Sequence, residues 1–388
     1  MINMLLAHTL EVDDKDLALR DILLQLDLPH CQKNHSVGII HCTHPFIESG
    51  VVQAICERLP FPVLGINTLL HSSALGLVDN MLLTITVFTS DDIKFATGLS
   101  APLEAKGNLK ANIADIYVET ENLMSSRPSL GLVFGPSLTY CAMGEILVEV
   151  LNEVSDGVPF FGALAADYST YIRHPRIIYN GKTYNDRLGI ILMEGKLSPR
   201  FCVYPVSDKK TIRQKAIVTD SEGNLIRKVN GMPVLEFLES LGLCWAGQIS
   251  GTHTIPLFLD RNDGQPPIVR TIQSQTPDGG IILCGNAPVD TTLGFGAMDI
   301  KHILESVRRV SILMKLLNPD VFYLYSCISR NIALGLNYTA EMEAVHHDLE
   351  GLVPYLFSYS SGEICPLIQK DGRWHNEFHN MSLVTANF

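Results

Sequence analysis

Short apolar runs recur along most of this chain, and stretches with helical spacing separate them. The run at 37–42 is followed by a Pro45-headed helical pattern to residue 58, then by a second run at 62–66. A strand buried on both faces reads as continuous hydrophobic sequence, and a short crossover helix between two such strands is the signature of layered α/β architecture. The same alternation continues with a helical pattern over 15–27, paired runs at 82–89 and 93–98 around Ser90-Asp91-Asp92, a helix over 109–123 and a run at 130–134. Gly135-Pro136-Ser137 then marks the start of a helix reaching residue 154, and 159–162 reads as a strand. Segments 176–179, 187–193 and 200–206 suggest a meander around the Asn180-Gly181 turn. Farther on come a helix over 299–317, a strand at 321–326, a helix over 341–349 and closing strands at 355–360 and 381–386. No repeat of fixed period stands out.

With 388 residues, the chain exceeds what one hydrophobic core supports. The pattern therefore predicts a mixed α/β (α+β) protein of two domains, with mixed or largely antiparallel sheets flanked by helices. The expected divisions are a helical extension at 1–35, a first domain at 36–220 and a second at 221–388. Apolar residues make up 46% and charged residues 18%, which excludes a disordered class. A net charge of −12 argues against nucleic-acid binding. Nine scattered cysteines without a CxxC pair read as reduced thiols, and no apolar run is long enough to span a membrane. The expectation is a cytoplasmic protein without a metal centre.

Two segments end apolar runs in polar clusters: Ser326-Cys327-Ile328-Ser329-Arg330, and Ser358-Tyr359-Ser360-Ser361-Gly362-Glu363-Ile364 followed by His379-Asn380. Strand ends of this kind line pockets, because the sheet holds their side chains rigid.

These segments carry a family resemblance. Ser326-Cys327-x-x-Arg330, the 358–364 stretch, and Phe378-His379-Asn380-Met381-Ser382 resemble the motifs of a FIST C-terminal domain, opened by Val229-Asn230-Gly231-Met232-Pro233. Pro62-Val63-Leu64-Gly65, Pro159-Phe160-Phe161-Gly162 through Asp167, Tyr179-Asn180-Gly181-Lys182 and the run from Asp186 to Leu192 resemble a FIST N-terminal domain. The likeness covers roughly residues 36–386. It departs in an Ala-rich loop at 163–166, in Ser382 where Thr is commoner, and throughout 67–80. The resemblance implies a stand-alone sensory protein in signal transduction. Such a protein binds an amino acid or similar small ligand and signals to a separate protein, such as a histidine kinase or a cyclic-dinucleotide enzyme. A haem-binding nitric oxide sensor is the alternative it implies.

Read as chemistry, Arg330 can grip a carboxylate and Glu363 an ammonium, or the two can pair with each other and brace the fold. Tyr359, Ser361 and Gly362 would shape the pocket, with His379 or Asn380 completing it. Asp167 can meet a ligand amine or cap a turn. Cys327 admits a nucleophile reading with His379 as base, and equally a filler role in the core. Binding without turnover is the preferred reading.

Overall fold

The computed structural model describes residues 2–76, 81–104, 107–138, 140–166, 175–206, 212–244, 247, 254–262, 264, 267–317 and 319–388. Three of its sheets repeat one arrangement. The first unit runs through strands Ile2–Thr9, His35–Cys42, Val63–Asn67 and Leu83–Ser90. The second uses Lys94–Leu99, Leu130–Gly135, Phe160–Leu164 and Gly189–Glu194, and the third Arg200–Tyr204, Phe322–Cys327, Tyr355–Ser360 and Leu383–Asn387. In each unit the second and third strands are parallel and joined through helix. The fourth strand lies antiparallel between the second and the first.

A fifth position in each sheet is filled from another unit. Ile177–Tyr179 pairs with Val63–Asn67, Glu363–Ile368 with Phe160–Leu164, and His71–Ser73 with Tyr355–Ser360. Every one of these arms leaves its own unit between that unit's third and fourth strands. The exchange therefore runs in a cycle and ties the two ends of the chain into common sheets. A fourth sheet of short antiparallel strands, spanning Ile212–Glu222 to Thr292–Phe295, is inserted into the third unit.

The inner faces of the three sheets make one core that includes Ile39, Leu64, Phe88, Leu132, Phe134, Phe161, Met193, Tyr323, Tyr325, Leu356 and Val384. Each outer face is covered by its own helices, such as Lys15–Leu26 and Val51–Arg58 on the first sheet and Met143–Val154 on the second. Burial on both sides explains why the parallel strands read as unbroken apolar runs.

Pro62-x-x-Gly65 and Pro159-x-x-Gly162 occupy matching places. Gly65 lies opposite Ile40 and Gly162 opposite Val133 in the parallel ladders. An added Cβ would stand 2.1 Å from the Ile40 carbonyl oxygen and 1.8 Å from that of Val133, so only glycine fits at either position.

Several expectations are corrected. The first thirty-five residues are not only helical, since Ile2–Thr9 pairs along its whole length with Leu83–Ser90. Ser90-Asp91-Asp92 is not a hairpin turn. Its flanking strands belong to different sheets, and the Ser90 hydroxyl oxygen accepts from the Asp92 and Ile93 amides at 3.1 and 3.0 Å, turning the chain into the second unit. The helix expected from Gly135 begins only at Met143. The Asn180-Gly181 turn does form a hairpin, with φ of +49° and +80°, but Gly189–Glu194 lies in another sheet, so there is no meander.

Candidate functional site

Arg330 sits in the first turn of the helix Ile328–Leu334 and is buried between the third sheet and its helices. Its Nε donates to Ser326 Oγ and Glu341 Oε1, both at 3.1 Å, and its terminal nitrogen donates to Glu341 Oε1 and Ser306 Oγ, both at 2.6 Å. The Ser326 and Tyr359 hydroxyls donate to Glu341 Oε2 at 3.0 and 3.2 Å. Arg330 therefore pairs with Glu341 and not with Glu363. Successive strand residues point to opposite faces, so Tyr359 joins this outer brace while Ser358 and Ser360 point inward. The sequence reading missed Glu341, whose helix showed no pocket-like pattern.

Glu363 opens an exchanged strand, in register with Ala163 and His379. It is fully buried. The Ser360 hydroxyl meets its Oε1 at 2.7 Å and the Ser382 hydroxyl its Oε2 at 3.0 Å. Burial pushes the carboxyl up to about 8, against the opposing pull of the two hydroxyls and Arg330. Near neutral pH the group is largely an uncharged acid, and hydroxyls that turn freely can satisfy it in that form.

Cys327 ends the strand beside it, fully buried, and its backbone N–H donates to the Ser382 carbonyl at 3.0 Å. Burial first, and then the Glu363 charge, raises its thiol. A thiol held in that state is a poor nucleophile. His379 is drawn down to about 4 by burial, and its Nε2 bonds the Cys365 carbonyl at 3.0 Å, so the ring is neutral and already engaged. Ser361 and Gly362 hold backbone bonds with Leu164 that join the arm to the second sheet. Asn380 is buried in the segment following, and Met381 after it takes a left-handed φ of +54°. Asp167 lies outside the described residues.

One further component was not anticipated. Arg270, from the inserted sheet, donates through Nε and a terminal nitrogen to Glu145 Oε1 at 2.9 and 2.7 Å. It also reaches the Phe378 carbonyl at 3.3 Å and lies 5.3 Å over the Phe378 ring. Gly144 and Gly362 make room for that ring, since an added Cβ would fall 2.2 or 2.5 Å from it. The inserted sheet is thus clamped to the second unit next to the Glu363 corner. Isolated Arg and Glu residues 125 positions apart carry no sequence signal for such a pair.

Among the described residues no group of three His, Cys, Asp or Glu is placed to hold a metal ion. The buried His41 ring lies 5.8–6.3 Å from those of His71, Phe134, Tyr323 and Tyr325. A surface hollow of about 310 Å³, lined by Ile47, Gln53, Gly181 and Lys182, shares no lining residue with the Glu363 corner. No helix in the described residues is long and apolar enough to cross a membrane.

The fold and corner define a class: a multi-unit α/β protein that brings a buried acid to the junction of two sheets. The FIST N domain pattern matches residues 36–232 and the FIST C domain pattern residues 235–366, and the chain belongs to the FIST family. That family is associated with sensory signal transduction and small-ligand binding. No curated protein matches the chain closely enough to narrow this.

Proposed function

We propose that this protein is a small-ligand sensor whose site is the corner formed by Glu363, Ser360, Ser382, Cys327 and Asn380. Its ligand is an amino acid or a similar small molecule, and it signals to a separate output protein such as a histidine kinase or a cyclic-dinucleotide enzyme. The observation that carries this reading is Glu363. A carboxyl buried at a sheet junction and kept uncharged costs stability, and groups held at such a cost concentrate where ligands bind. Arg330 supports the corner from behind and does not touch the ligand. An ammonium arriving beside Glu363 would favour its ionised form, so binding releases a proton. The raised thiol of Cys327, the nucleophile candidate at the corner, fits binding without turnover.

A thermal-shift screen against amino acids, small carboxylates, nucleotides and haemin tests the reading. A ligand at 100 times its dissociation constant adds about 2.7 kcal/mol, or roughly 3 °C for a chain of this size. The expected result is a hit that Glu363→Gln removes while the unliganded protein still melts cooperatively. A hit unchanged in Glu363→Gln places the site elsewhere, and a haemin hit alone replaces this reading with gas sensing.

A further inference from the structure

The corner holds two local conflicts side by side. Asn380 is 2% exposed, yet neither its Oδ1 nor its Nδ2 has a hydrogen-bond partner among the described residues. Buried amide groups are almost always paired, because losing water without a replacement bond is unfavourable. Its neighbour Met381, fully buried and not glycine, is held at φ +54°, a region that β-carbon sterics disfavour. The two occur on the three-residue link that carries the chain from the exchanged strand Trp374–His379, in the second sheet, to Leu383–Asn387 in the third. Ser382 of the same link bonds both Glu363 and Cys327.

An unpaired carboxamide presents one donor and one acceptor next to each other. Its complement is another edge with an acceptor and a donor adjacent, found in a primary amide, a lactam or a cyclic imide. We propose that Asn380 recognises such an amide edge on the ligand, and that the link 380–382 is the element that opens to admit it. This rests on the reading of the Glu363 corner as the binding site and narrows its ligand class.

With Asn380 only 2% exposed, a ligand reaches it only if its surroundings move. An added Cβ on Gly362 would lie 3.2 Å from Asn380 Nδ2 and 2.5 Å from the Phe378 ring, so the amide lies close against Gly362. Relaxing Met381 from its left-handed backbone swings Asn380 and Ser382 together. The amide opens to the ligand while Glu363 and Cys327 lose their Ser382 contacts. A ligand that pairs with Asn380 therefore shifts the join between the second and third sheets.

The test uses matched pairs on the full chain by thermal shift and calorimetry: glutamine with glutamate, nicotinamide with nicotinate, uracil with 1,3-dimethyluracil. In at least one pair the amide-bearing member is expected to bind, with its partner at least about 100-fold weaker, because a site built to pair a polar edge rejects the analogue lacking it. Asn380→Ala abolishes that preference. Without ligand, the same variant melts no lower than the wild type, since the amide it removes has no partner. A clear fall in that unliganded melting temperature assigns Asn380 a structural role and overturns the proposal. Equal binding of both members, unchanged by Asn380→Ala, overturns it while leaving the sensor reading intact. Silence from all six compounds together with the broader screen overturns both.

Discussion

Replacing Glu363 with Gln should change how stability responds to pH. In the folded protein burial lifts this carboxyl from 4.5 to about 8. The folded state therefore holds a proton that the unfolded chain has already released between those values. Stability from this group is fully present below pH 4.5 and is lost as pH rises towards 8. At ~1.4 kcal/mol per pH unit, the loss reaches about 3 kcal/mol at pH 7 and about 4 kcal/mol at pH 8. Gln keeps the shape, fills the same space between Ser360 and Ser382, and cannot ionise. Urea unfolding at pH 5, 6, 7 and 8 should thus show a wild-type free energy that falls relative to Glu363→Gln, with the difference growing by more than 2 kcal/mol across the series. Taking the difference between the two proteins cancels the histidines, whose contribution has the opposite sign. Parallel curves would show that Glu363 ionises in the folded state at ordinary carboxylate pH, and the argument for a neutral acid at the corner would collapse.

The remaining expectations concern other parts of the fold. His71 is drawn down to about 3 by burial and His41 well below its usual value, so their stabilising contribution is full above pH 6.5 and is lost as pH falls towards 3. His71→Asn should flatten that acid limb, read by hydrogen exchange at the His71–Ser73 strand, and an unchanged limb would remove His71 from the account. Arg330→Ala should cost about 3–5 kcal/mol because Glu341 is left buried without its partner, and Arg330→Met with Glu341→Gln should recover most of it. If the double variant is as weak as the single one in urea unfolding, the brace is not a simple ion pair. Gly162→Ala should lower stability by at least ~2 kcal/mol, since its Cβ would meet the Val133 carbonyl oxygen at 1.8 Å; a neutral effect in thermal melts would contradict the close approach of the two strands.

Most individual strands and helices were legible because period and punctuation are local properties. Runs such as 37–42 and 130–134 fell within a residue or two of the observed strands His35–Cys42 and Leu130–Gly135. Sheet membership was not legible. Ser90-Asp91-Asp92 looks like any tight turn, and only the tertiary fold determines whether the strands beside it pair or part. The threefold arrangement did leave a trace in Pro62-x-x-Gly65 and Pro159-x-x-Gly162, but the third unit has Pro354-Tyr355-Leu356-Phe357 at the matching place. With the glycine gone from one copy and the inserted sheet interrupting its spacing, no fixed period survives. The corner was legible as a polar strand end, whereas the partner of Arg330 was not. Ser326, Arg330 and Tyr359 share the motif with Glu363, yet they face the helices while Glu363 and Ser360 face inward. Sequence adjacency alone could not separate the two faces without the exact start of each strand.

The cyclic exchange of arms gives the corner its mechanical importance. If each unit kept its own fifth strand, a ligand-driven shift at one sheet edge would be absorbed within that unit. Here Glu363–Ile368 belongs to the third unit by sequence and to the second by pairing, and the chain re-enters its own sheet only through 380–382. The first sheet is joined in turn, because its arm His71–Ser73 pairs with Tyr355–Ser360, the strand that ends in Ser360 against Glu363. Ionisation of Glu363, or the ligation proposed for it, would therefore act where the third unit grips the second, one strand away from where the first unit grips the third. A packed core resists gradual deformation, so a small change there favours a discrete rearrangement of units over a local adjustment.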